Sequence, residues 1–114
     1  MSKLVTDDMV EAALNYLATA SQEGASARAN RLRAEFKRKR LRSKLILEAP
    51  PTCTSATLRE AWAEAHPDYL LACEDEVKWT EQDELHRGER NRADVIIEAW
   101  RTENANNRVG GNFR

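Results

Sequence analysis

The sequence predicts an all-α fold: a long antiparallel helical hairpin with an additional N-terminal helix, oligomeric through coiled-coil-like packing. Three observations predict it. Glycine and proline together supply only 7 of 114 residues, and Ala, Glu, Leu and Arg dominate, a composition of long helices rather than sheets. Apolar residues recur at three- and four-residue steps along most of the chain. Charge is segregated on either side of a proline-containing turn, with residues 28–44 carrying a net charge of +8 and residues 60–84 a net charge of −8, inside a chain whose overall charge is −1.

Thr6 followed by Asp7 and Asp8 is a helix start, because the hydroxyl can accept an early backbone N–H and the acids sit at the positive end of the helix dipole. Met9, Ala12, Ala13, Tyr16, Leu17 and Ala20 then mark one narrow apolar face. This gives an N-terminal helix over residues 7–21. Gly24, among small residues, lowers helical propensity by about 1 kcal/mol and predicts a break.

A basic helix is expected over residues 25–48, with Ala25, Ala29, Leu32 and Phe36 forming a seam that Leu41, Leu45 and Ile46 continue. Pro50 and Pro51 cannot extend a helical ladder and force a turn over 49–57. Thr57 and Glu60 have the spacing of a capping box, so a short helix follows over 58–65. Pro67 suits the first position of another helix. From there only Gly88 interrupts the pattern, which predicts a long helix over 67–106, roughly 60 Å at 1.5 Å per residue, and a flexible tail over 107–114 fraying from Asn104. One helical domain spans the chain.

The sequence excludes several classes. At 114 residues with 6% aromatic content, a deep enclosed active site has no core to hold it, and no phosphate loop, nucleophile elbow or paired nucleophile and histidine occurs. No enzymatic role and no cofactor is expected. Cys53 and Cys73 lack metal-ligand spacing and are expected as thiols; His66 and His86 match no zinc pattern. No apolar run is long enough for a signal sequence or a membrane span, so the protein is expected in the cytoplasm, away from membranes.

Two readings of the charge remain open. The hairpin would bring the basic block beside the acidic one, so that complementary flanks neutralise each other and set register. Yet residues 37–44 carry six cations in eight positions, which wrap most of a helix and exceed what one neighbour can cover. The surplus can follow phosphates without reading bases. The candidate nucleic-acid-binding residues are Arg31, Arg33, Lys37, Arg38, Lys39, Arg40, Arg42 and Lys44. The candidate oligomerisation residues are Tyr69, Val77, Ile96, Ile97 and Trp100. Phe36 lies within the basic patch, but its seam position predicts a core role; Trp62, Trp79 and Trp100 lie on the acidic half, where core or subunit contact is expected rather than stacking.

The basic helix from Ala34 to Glu48, the turn, the Pro67-Asp68-Tyr69 element and the segment Ile97-Glu98-Ala99-Trp100-Arg101-Thr102-Glu103 occur in an order that resembles a group of small helical proteins. These are encoded by bacteriophages near their recombination genes, and more distantly the order resembles UvsY-type recombination mediators. The resemblance covers about residues 30–105. It implies an oligomeric accessory protein in a host cytoplasm that binds single-stranded DNA. Such a protein would help load a recombinase or annealing protein onto strands coated by a single-strand-binding protein. The basic helix would then contact DNA, and the Ile96, Ile97 and Trp100 face would serve assembly. The chain departs from this pattern in its acidic balance, with a pI near 6.1. That departure fits equally an interaction module or phage inhibitor that docks its acidic helix on a basic protein site.

Overall fold

The computed structural model describes residues 4–112 and is all-helical, with four helices and no strand among them. These are α1 (Asp7–Thr19), α2 (Ser21–Glu48), α3 (Ala56–Ala65) and α4 (Pro67–Asn112). The chain divides into two compact units. One joins Met1–Ala25 with Leu85–Arg114, and the other is Ser26–Glu84.

In the first unit, α1 starts as the sequence predicts: the Thr6 hydroxyl accepts from the Met9 N–H at 3.2 Å. Its apolar side buries Val10 and Ala13, and the Tyr16 hydroxyl donates to the His86 carbonyl at 3.3 Å. The helix ends at Ala20 rather than at Gly24. Gly24 lies inside α2 instead, buried, and a Cβ there would meet His86 and Arg90 atoms at 3.6–3.7 Å. Its tertiary contacts override a propensity cost of about 1 kcal/mol. At the other end, α4 continues past Asn104 to Asn112, where fraying was expected; residues 113–114 of the expected tail lie outside the described residues.

In the second unit, the expected seam of α2 is half correct. Leu45 is buried and Leu41 and Ile46 are half-buried, but Leu32 and Phe36 are 43% and 65% exposed. The buried positions in that stretch are Ala27 and Ala34. With Arg31 between them and Arg38 beyond, the inward line reads Ala27, Arg31, Ala34, Arg38, Leu41, Leu45, stepping by four and three residues. Small alanines let α2 lie close to its neighbour, and the arginines reach across to acids. Of the large apolar side chains that suggested a core stripe, Leu32 and Phe36 face away from this line.

The turn after α2 is held by the Cys53 N–H donating to the Pro50 carbonyl at 2.9 Å. The capping expectation at Thr57 is also corrected. Ser55 caps α3, accepting from the Leu58 N–H at 3.1 Å, and Thr57 lies within the helix. Ser55 has the extended backbone a cap requires, which a residue inside the first turn lacks. Pro67 opens α4 as expected, next to a His66 Nδ1 that accepts from the Asp68 N–H at 3.1 Å.

Candidate nucleic-acid interface

The second unit sorts the basic block into an inner and an outer set. Arg31 Nη1 donates to Asp83 Oδ2 at 2.7 Å, and Asp83 is the buried charged residue among those described. Arg38 donates through Nε to Glu76 and through Nη1 to the Tyr69 hydroxyl at 3.5 Å. Both partners hold the Arg38 guanidinium above its ordinary pKa, with the Glu76 hydrogen bond the larger cause. Arg42 donates to Glu64 at 3.1 Å and lies 3.9 Å from Glu60. These partners run backwards in sequence as the arginines run forwards. Three of the eight candidate DNA contacts are thus occupied on the inside.

Lys39 and Lys44 have acids on their own helix, Glu35 at 2.9 Å and Glu48 at 3.8 Å. The Lys39 hydrogen bond holds the Glu35 carboxyl below the ordinary carboxylate range. Arg33 meets a neutral partner, donating to Asn30 Oδ1 at 3.1 Å. Lys37 and Arg40 are exposed and have no ion pair among the described residues.

What remains is an ordered stripe. Arg33, Lys37, Arg40 and Lys44 follow one another at steps of four, three and four, all exposed, and fall within about 60° of one another at 100° per residue. They span about 16 Å along α2. No acid of α3 or α4 pairs with any of the four among the described residues. A row of cations in which only Lys44 has an acid, Glu48 on its own helix, is suited to a flexible polyanion rather than to a shaped small ligand.

No family model, curated protein or solved structure matches the chain significantly. The site therefore rests on its own geometry.

The candidate oligomerisation residues fall in both units. Tyr69 is half-buried and its hydroxyl is engaged by Arg38. Val77 is 66% exposed on α4. Ile96, Ile97 and Trp100 are half-buried in the first unit, where Ile96 lines a groove of about 330 Å³ with Met9, Ala13, Tyr16 and Ala93. Burial and the neighbouring Glu89 hold the Tyr16 phenol above its ordinary pKa. Sequence reading missed a second outward line, Leu70, Glu74, Val77 and Glu81 on α4, which is exposed throughout. Its 4-3-4 spacing was visible, but its mixed apolar and acidic content hid it.

Both cysteines are free thiols, and no group of three or more metal-ligating side chains converges among the described residues. No helix of the described residues is long and apolar enough to cross a membrane.

Proposed function

We propose that the chain is a non-enzymatic accessory protein of phage-type DNA recombination, a helical hairpin that self-associates and binds single-stranded DNA. Through that contact it assists the loading of a recombinase or annealing protein. The observation that supports this reading is the outward stripe of Arg33, Lys37, Arg40 and Lys44, left without acidic neighbours on α3 and α4 while Arg31, Arg38 and Arg42 are taken up inside. Four cations in a line can neutralise up to four phosphates of a strand that bends to follow them. Self-association is supported by the exposed apolar side chains of α4, Leu70, Leu71, Val77, Leu85 and Val95.

The test is the salt dependence of binding to an unstructured oligonucleotide, followed by fluorescence anisotropy. Four phosphate contacts give a log-log slope of about −3. Changing Arg33, Lys37, Arg40 and Lys44 together to Gln abolishes binding without unfolding the chain, because none of the four holds an acid of another helix. No binding by the unaltered chain at low salt refutes the proposal.

A second reading is favoured by the other outward line. Glu74 and Glu81 are exposed without an ion-pair partner among the described residues, and they alternate with Leu70 and Val77. Such a face suits docking on a basic protein site. In that case Glu74→Lys with Glu81→Lys destroys partner binding, and no oligonucleotide binds.

A further inference from the structure

We infer that Phe36 is a base-stacking platform set in the cationic stripe, giving the site a preference for unpaired over paired strands. The inference rests on the single-strand-binding reading and adds to it a subsite for the bases themselves. Phe36 is 65% exposed and makes no ring contact among the described residues. Arg33 precedes it by three residues and Arg40 follows by four, so both residues flank Phe36 on the helix surface, with Cβ atoms about 5–6 Å away. An exposed phenyl ring on the side of α2 away from its inward line has no folding role to explain it.

The chemistry of the surroundings selects the occupant. A purely apolar partner would leave Arg33 and Arg40 facing it without counter-charge, at a desolvation cost. A nucleic-acid strand supplies phosphates to those cations and a planar base to the ring at once. In a duplex the bases are already stacked and only the phosphates are offered, so the ring contributes nothing. The ring accordingly converts an electrostatic contact, which a duplex could equally satisfy, into one that favours single strands.

Three variants and three strands test this. Phe36→Ala is expected to bind a thymidine oligonucleotide about tenfold more weakly at fixed salt, with the log-log salt slope unchanged because no phosphate contact is lost. Phe36→Tyr retains the affinity and Phe36→Leu loses it, which separates stacking from mere apolar contact. An abasic strand of equal length and a duplex are indifferent to all three changes. Helical content measured by circular dichroism stays constant throughout. Wild-type affinity in Phe36→Ala overturns the inference while leaving the single-strand-binding reading standing. A loss that extends equally to the abasic strand, or a change in solution mass without a change in affinity, overturns it too and assigns the ring to a contact between copies. Absence of binding by the unaltered chain overturns the functional reading and this inference with it.

Discussion

The Arg31 guanidinium reaches the carboxylate of Asp83 at 2.7 Å, and the acid is only 5% exposed. Glu84 stands 4.0 Å from the same guanidinium. A buried carboxylate that loses its cation is left with an uncompensated charge, which commonly costs 3–5 kcal/mol. Arg31 keeps a third of its side chain in water, and Asp83 has a further polar interaction, so the cost here is smaller. Arg31→Met is expected to destabilise by about 2 kcal/mol in urea unfolding. Adding Asp83→Leu to it restores part of the loss, because the buried charge is gone while its further polar interaction goes with it. If the double variant is less stable than Arg31→Met, the pair does not act as described.

The start of α3 distinguishes two caps that the sequence offers within three residues. Ser55 accepts the Leu58 N–H, whereas Thr57 stands in the first turn. Ser55→Ala is expected to cost about 1 kcal/mol and Thr57→Ala less than about 0.5 kcal/mol. Thermal unfolding of the two variants side by side decides the assignment, and a reversed order would restore the capping box at Thr57.

Those two sites show what the sequence carried and what it hid. Helix content, the stop at Pro50 and the start at Pro67 were legible because proline and the capping hydroxyls act locally, through covalent geometry and single hydrogen bonds. The direction in which α2 faces was not. Size suggested Leu32 and Phe36 as core, but Ala27 and Ala34 are buried, since close approach of α2 to its neighbour favours small side chains. Arginine at the inward positions 31 and 38 looks polar in any periodicity count, and only its acidic partners some 40 to 50 residues later explain it. The surplus of cations was countable in the sequence. Which cations made up the surplus depended on those distant pairings, so the eight candidates narrowed to four only with the fold in hand.

Gly88 offers a test of helix propensity without tertiary interference. It lies within α4, and a Cβ added there meets nothing within 4 Å. Gly88→Ala is therefore expected to stabilise the chain by about 0.5–1 kcal/mol. In a chain of this size that raises Tm by a few degrees. Gly24→Ala is the informative contrast, because its Cβ would lie in ordinary contact with His86 and Arg90 at 3.6–3.7 Å. It gains the same propensity and adds van der Waals contact, so its stabilisation should equal or exceed that of Gly88→Ala. A destabilised Gly24→Ala would show that α2 and α4 approach more closely there than these distances allow.

Glu35 reports on the outer surface of α2 through its titration. Its carboxyl is held below the ordinary value of about 4.3 by the Lys39 hydrogen bond first and the Lys39 charge second. A folded-state pKa below the unfolded one means that the pairing contributes above the unfolded pKa and is lost as pH falls through the folded one. The pair is exposed, so its effect is confined to acidic solution and weakens with added salt. An NMR titration of the Glu35 side chain should give a midpoint below that of an isolated glutamate, and Lys39→Met should raise it toward the ordinary value. The same substitution removes a cation that lies off the line of Arg33, Lys37, Arg40 and Lys44. Oligonucleotide affinity should then fall by less than for Arg40→Gln, whose side chain has no acid to release. Equal losses from the two variants would spread the binding surface around α2 and remove the distinction between the outward line and the rest of the basic block on which the stripe depends.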